Sequence, residues 1–458
     1  VTRTALLDGA PRVPAPAGPP PGPPPARSDR ARPPAAVAFA YLMRRPVWAV
    51  VPALLAVCAP AGPPGADRVN ITAGDVMSAV AVLTVALSCA VTRRRCEIAP
   101  LRAFGPLVLA LGVTTVTSQD VAASLPGFVR VVQVFVVVPL AVACCVRDRR
   151  DARVVCGAVV AVSLLESGYG VWQALTRNGA SYQGENVRAV GTFGAADVMA
   201  LATVVSFGLL ITLTWFLAAR GRMRALPAAA LAVQAAALVL ALSRGSWISL
   251  TVAAAVMLTL ANWRRALLAA AGVAALAVVL VGGLGLGSQT IADRLQSITG
   301  VVGDPDQSVV DRYSLWSTAE GIWRDHPVTG IGVRNFAGFR DSHAPLELSS
   351  GSETADAAHG YSREPLLSPH NQYLLWLSEQ GLLGLAAFAA LLAALGRGLW
   401  RRRDPADPVW QACAGTLCWL TVNFCYADMG GPTSVLIAVL FGLIAARALP
   451  PTLERSEW

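Results

Sequence analysis

Four histidines and three arginines are the side chains here whose types and placing could do chemistry. His326, His343, His359 and His370 all fall in one polar stretch or at its edge. No pair has the i,i+4 helical or HxH strand spacing of a compact metal site, and no cysteine lies among them, so the pattern speaks against a zinc centre. His326 precedes Pro327 and reads as structural. His343 and His359 lie in flexible sequence and read as solvated. His370 differs, because it opens "PHNQYLLWLSEQGLLGL" at the mouth of an apolar helix. An imidazole there either takes a proton near neutral pH or simply helps to start the helix, and Asn371 is placed to cap it.

Arg188, Arg244 and Arg312 stand close to the ends of apolar runs or in an aromatic helix, away from the other basic clusters. One such arginine reads as a snorkel to lipid headgroups. Three of them beside a histidine-bearing loop point to a bound polyanion, since the guanidinium fork matches phosphate oxygens. Glu166 and Glu379 lie inside apolar runs. An intramembrane carboxylate is a functional candidate by default, although a hydrogen bond between helices accounts for each.

These residues must be positioned by membrane helices. The chain has 458 residues, is 55% hydrophobic and only 14% charged, against about a quarter charged in soluble domains. Its apolar runs suit a bilayer core. The formal charge of +9 is all arginine on the basic side, gathered in short clusters between apolar runs, so it marks topology and not nucleic-acid binding. The nine cysteines lie in or beside apolar runs with no CxxC spacing, the pattern of free thiols.

Hydropathy predicts about twelve spans: Val47–Ala61, Val76–Thr92, Phe104–Ser118, Phe128–Val146, Val154–Thr176, Val198–Ala219, Ala225–Ser243, Trp247–Asn262, Ala266–Gly287, Tyr373–Leu395, Pro408–Tyr426 and Pro432–Leu449. The arginine clusters at residues 44–45, 93–95, 147–153, 220–224, 264–265 and 401–403 then all fall on one side, which the positive-inside rule makes cytoplasmic, with both termini. The expected organisation is a disordered Pro/Ala-rich tail over residues 1–40, nine spans over 41–287, an extracytoplasmic loop over 288–371, three spans over 372–449 and a short tail over 450–458. Within the long loop, "SVVDRYSLWSTAEGIWRDHP" reads as a helix closed by Pro327, with Val309, Arg312, Tyr313, Trp316, Glu320 and Trp323 on one face. Gly330 and Gly332 permit tight turns, and "SSGSETADAAHG" reads as mobile.

Taken together, "RAVGTFG", "ALSRGSWISL", "DRYSLWSTAEGIWRDHPVTGIGVRNF" and "PHNQYLLWLSEQGLLGL" resemble the O-antigen ligase and polymerase family of membrane glycosyltransferases. The resemblance covers about residues 188–385; the first five spans match in hydropathy alone. It implies an all-α, polytopic, GT-C-like bundle of about a dozen helices with one long extracytoplasmic loop. It also implies transfer of a glycan from an undecaprenyl-diphosphate carrier to a glycan, lipid or protein acceptor in the cytoplasmic membrane. The reaction would need no metal and no cofactor, and nucleic acid is not an implied partner. By motif, Arg188 and Arg244 look like the diphosphate-binding arginines, Arg312 like the loop arginine ahead of the family's Trp, and His370 like the histidine of the His-Asn motif. "GTFGAADVMA" departs from the family, where Asn-Pro is common, and the pocket wall is in doubt there. The chemistry agrees with the residues: fixed arginines stabilise a diphosphate leaving group, and a histidine takes the acceptor's proton.

Motifs do not separate a ligase from a repeat-unit polymerase. A transporter or flippase would show two related halves, whereas the long loop breaks a six-plus-six layout and no repeat is visible. A non-catalytic scaffold leaves the outer arginines unexplained.

Overall fold

The computed structural model describes residues 34–59, 71–93, 98–182, 185–260, 307–349, 351–356, 360–364 and 366–449. Contacts divide the chain into Val1–Ala40 and Tyr41–Trp458, and the candidate site belongs wholly to the second. Helix α1 (Pro34–Arg44) begins inside the expected tail. The rest of that tail, the ninth expected span (Ala266–Gly287), His359 and the 450–458 tail lie outside the described residues.

Among the described residues, seven helices are long and apolar enough to cross a membrane. They are α3 (Ala73–Val91), α4 (Ile98–Val116), the continuous run of α5 (Val121–Val132), a π-helical turn and α6 (Val138–Cys145), then α7 (Arg149–Thr176), α8 (Ala200–Ala218), α9 (Ala225–Leu240, with the turn before it) and α13 (Gln372–Arg401). Shorter helices accompany them: α2 (Val50–Leu55), α10 (Arg244–Leu260), α14 (Pro408–Asn423) and α15 (Ser434–Ala448). α7, α8 and α9 pack together, and α15 packs on α6. Helices that are apolar all round end up buried, as α8 and α15 do.

The basic clusters at 44–45, 147–153 and 401–403 gather at one end of the bundle. Arg45 donates to Asp148 and Asp151, Arg147 to the Arg44 carbonyl, and Arg403 to the Leu260 carbonyl at the end of α10. Arg149 faces Asp404, and Arg447 bonds Asp407. α7 runs from this basic end to the opposite one, where Arg188, Arg244, Arg312 and His370 lie.

The structure is consistent with the all-α expectation, and two features of that opposite end add to it. First, a small antiparallel sheet joins the two long loops in the order β2-β1-β3-β4: β1 (Ala180–Tyr182) and β2 (Glu185–Arg188) come from one loop, β3 (Ser352–Asp356) and β4 (Gly360–Glu364) from the other. The "SSGSETADAAHG" segment expected to be mobile supplies β3, because its backbone groups pair with both β1 and β4. Second, α13 is broken at Gly381 (φ +60°, ψ −164°), so the span expected to run unbroken from Tyr373 to Leu395 is two helices.

The break is filled by backbone from the long loop. Leu382 and Leu383 amides donate to the Pro327 and Val328 carbonyls, and Ile331 and Gly332 amides donate to those of Ser378 and Glu379. Gly330 and Gly381 both have positive φ, and a Cβ at either would overlap backbone of the other segment. Across the break, Trp376 stacks on Phe388 with ring centroids 4.8 Å apart. Glu379 is buried at the break and accepts from the Phe336 amide at 3.2 Å. This intramembrane carboxylate therefore fastens the N-terminus of a short loop helix, Phe336–His343, to the span.

The loop helix α11 (Gln307–Asp325) exists as predicted, but it packs through another face. Asp311, Ser314, Leu315, Thr318, Ala319 and Ile322 are buried, while Tyr313 and Glu320 of the aromatic face are exposed. Asp311 is satisfied inside by the Ser349 amide and hydroxyl, which allows a charged residue on the buried face. His343, expected to be solvated, ends α12 (Phe336–His343). There its Nδ1 lies 3.0 Å from the Phe339 carbonyl and its Nε2 3.0 Å from Asp325.

Candidate active site

Arg244, Arg312 and His370 come together through one loop, Phe424–Thr433, between α14 and α15. Arg244 begins α10, and its Nη2 donates to Ser308 Oγ at 3.3 Å. Ser308 lies one helical turn before Arg312 on α11, so both arginines address the same face of that helix. Arg312 Nη1 donates to the Tyr426 carbonyl at 2.8 Å, and Gly245 packs against the Tyr426 side chain. Both guanidinium-bearing residues are half-buried.

His370 is placed from four directions. Trp316 on α11 donates its indole N–H to the Pro369 carbonyl at 3.0 Å. Asn371 caps α13 as the sequence predicts, accepting from the Tyr373 and Leu374 amides, and its own amide donates to the Cys425 carbonyl. The Gln372 amide donates to the Phe424 carbonyl at 2.8 Å. Finally, His370 Nδ1 faces Asp428 Oδ1 at 3.7 Å. His370 itself has φ +47°, a left-handed conformation rare for a non-glycine residue. Such a backbone persists where its surroundings over-determine it, often at functional sites. The imidazole keeps 37% of its surface exposed, enough to meet a substrate. Burial raises the Asp428 carboxyl, but the facing His370 and Ser368 outweigh that and leave it below the ordinary carboxylate range.

Arg188 is held by its backbone. It ends β2 opposite Ala180, and the next amide, of Ala189, donates to the Leu240 carbonyl at the end of α9, shortly before Arg244. The "RAVGTFG" turn that follows is anchored inside the bundle. Gln173 accepts from the Val190 and Gly191 amides and donates to the Gly191 carbonyl. Glu166 accepts from the Thr192 amide at 2.9 Å and from its hydroxyl at 2.7 Å. Gly191 (φ +64°) lies so close to Glu166 that a Cβ would overlap Oε2. The charged residue inside α7 thus holds the turn next to Arg188.

Sequence reasoning missed Tyr426 and Asp428. Their one visible signal is an acidic, glycine-containing turn, "YADMGGP", between the last two spans. Among the described residues, no three His, Cys, Asp or Glu side chains converge as a metal site.

Residues 229–389 match the family model described as O-antigen ligase. This region, about a third of the chain, is what is similar to the O-antigen ligase family. The match takes in Arg244, Arg312 and His370 and stops short of Arg188. The seven apolar helices of spanning length among the described residues are those of a multi-pass membrane protein. No curated protein matches the chain. Among solved structures, it is similar to a chain of a peptidoglycan synthase complex that coordinates polymerization and crosslinking. The two are 17% identical, with a TM-score of 0.43 over 77% of this chain and 98% of that one.

Proposed function

We propose that the protein transfers a glycan from an undecaprenyl-diphosphate carrier to an acceptor, as an O-antigen ligase does, at the end of the bundle opposite its basic clusters. The carrying observation is the convergence of Arg244, Arg312 and His370 on the Phe424–Thr433 loop. By the positive-inside rule the basic end is cytoplasmic and the site extracytoplasmic, in the cytoplasmic membrane.

The acceptor hydroxyl oxygen attacks the anomeric carbon, and the bond from that carbon to the diphosphate oxygen breaks with its electron pair leaving on the diphosphate. Arg188, Arg244 and Arg312 hold the charge that develops there, in fixed positions that need little reorganisation. The hydroxyl proton passes to His370. With Nδ1 turned to Asp428, Nε2 is the nitrogen that receives it, and the Asp428 carboxylate stabilises the imidazolium formed. The arginines supply the positive charge that a divalent ion supplies elsewhere, so turnover is expected to survive strong chelation.

The test is donor binding measured beside turnover on purified, lipid-reconstituted protein. His370→Ala should bind donor like the parent and turn over about 10²–10⁴-fold more slowly. Normal turnover in that variant would refute the base assignment, and parent-like donor binding in both Arg188→Ala and Arg244→Ala would refute the diphosphate site. In cells lacking the protein, full-length polymer left on the carrier marks a ligase; absence of polymer marks a polymerase.

A further inference from the structure

The exposed side of α11 is polar except at one place. Tyr313, Ser317, Glu320 and Arg324 fall at i, i+4, i+7 and i+11, so they share one stripe of the helix, and all four are exposed. Glu320 and Arg324 pair there in the open. Tyr313 is 51% exposed among these polar neighbours. Its ring is nevertheless held: it meets the Trp316 ring edge to face, with centroids 5.5 Å apart and planes at 81°. Trp316 in turn is tied by its indole N–H to the Pro369 carbonyl, one residue before His370. At about 100° per residue, Trp316 lies between Arg312 and Tyr313 around the helix. The aromatic pair thus extends the arginine-bearing face outward and is anchored to the peptide that carries His370. A helix lying on a membrane would turn a broad apolar face outward; here one fixed aromatic pair sits in a polar field.

We propose that the Tyr313 ring, backed by Trp316, is a platform for a sugar ring of a glycan acceptor, the ring next to the one whose hydroxyl gives its proton to His370. A sugar ring matches this surface chemically. One of its faces presents C–H groups with slight positive charge, which suit the negative face of an aromatic ring, and its rim of hydroxyls suits polar neighbours such as Ser317 and Glu320. The platform belongs to the acceptor side because it is fastened to the His370 segment, whereas Arg244 and Arg312, assigned to the diphosphate, donate to Ser308 and to the Tyr426 carbonyl. A ring already held edge to face loses little freedom when a sugar settles on it, so the contact favours binding and not the chemical step. The proposal rests on the glycosyl-transfer reading and narrows its acceptor to a carbohydrate. The competing occupant of the ring face is a lipid headgroup.

The test uses full-length protein in lipid nanodiscs. The acceptor probe is the glycan extract, lipid-linked glycans included, from the envelope of cells lacking the protein, which holds the acceptor unmodified. With donor saturating, Tyr313→Ala should raise the half-saturating amount of this extract roughly 3–10-fold, with kcat and donor Kd little changed. Tyr313→Phe keeps the ring and should restore the acceptor affinity. Tyr313→Leu, which keeps bulk without the aromatic face, replaces the alanine variant if that one does not accumulate. Saturation-transfer NMR gives a readout independent of turnover: irradiating the protein should saturate sugar C–H protons of the extract with the parent and with Tyr313→Phe, and much less with Tyr313→Ala. A parent that transfers nothing to the extract, or saturates none of its protons, overturns the proposal. So does parent-like acceptor affinity in Tyr313→Ala; if that variant also has a lower Tm in nanodiscs, the ring is a headgroup anchor. Normal turnover in His370→Ala overturns the transfer reading beneath, whereas a slow His370→Ala beside a parent-like Tyr313→Ala overturns the platform alone, so the two failures are distinct.

Discussion

Gly381→Ala should dislodge the half-helix that carries His370. At φ +60° and ψ −164° the position is one that glycine alone occupies comfortably, and a non-glycine residue there costs about 1–3 kcal/mol. The new Cβ also overlaps the Val328 carbonyl group, which is backbone and cannot rotate away. Relief requires the 327–332 segment to move off α13, which puts at risk the four backbone hydrogen bonds made by Ile331, Gly332, Leu382 and Leu383. At about 0.5–1.5 kcal/mol each they amount to roughly 2–6 kcal/mol. The total, about 3–9 kcal/mol, is a large part of the 5–15 kcal/mol typical of a folded protein. Thermal unfolding of detergent-purified protein, followed by tryptophan fluorescence, should show Tm lowered by several degrees. Donor transfer should fall with it, because Gln372–Gln380 lies between the break and His370. Gly338→Ala is the control: it sits in α12 with nothing within 4 Å of its added Cβ, and alanine there favours the helix by about 0.5–1 kcal/mol. Equal Tm values for Gly381→Ala and Gly338→Ala would refute the interlock.

Arg244→Ala removes a charge-assisted contact of about 1.5–3 kcal/mol, so the donor Kd should rise roughly 10–150-fold by equilibrium binding, and Arg244→Lys should recover little because an ammonium lacks the fork. Glu166→Ala strands the Thr192 amide and hydroxyl, a loss of about 3–6 kcal/mol for two hydrogen bonds to a charged acceptor; a lower Tm together with weaker donor binding is expected, and parent-like donor binding would show that the turn does not set Arg188. His343 titrates above its ordinary value, because of Asp325 first and the Phe339 carbonyl next. Its stabilisation is therefore complete below the unfolded pKa and lost as pH rises through the raised folded value. The Tm gap between parent and His343→Gln should accordingly narrow with rising pH, and a gap independent of pH would refute the pairing with Asp325.

Much of the bundle was legible because its signals are local. Apolar runs set the helices, and the arginine clusters named the end where Arg45, Arg147, Arg403 and Arg447 make their contacts. Asn371 was legible as a cap because capping reaches only three residues. What escaped depends on partners far away in the chain. Strands of three to five residues, polar and without alternation, show no period until Ser181 meets Ala355. Gly381 reads as a tolerated glycine in an apolar helix until Val328 arrives beside it. The buried side of α11 was not legible because it is formed largely by the small and polar residues Ser314, Thr318 and Ala319. Asp428 has no motif of its own; it matters because the Phe424–Thr433 loop meets Arg312 and His370 at once.

That loop follows the arginines and histidine of the candidate site along the chain, and this orders their assembly. Ribosomes deliver Arg312 and His370 before the loop residues that hold them, so a nascent chain threaded into the membrane as far as α13 lacks the carbonyl of Tyr426 and the carboxylate of Asp428. On the proposed reading, that face of the site is completed only when α14 and α15 enter with the loop between them, and a copy ending before residue 424 would lack both contacts.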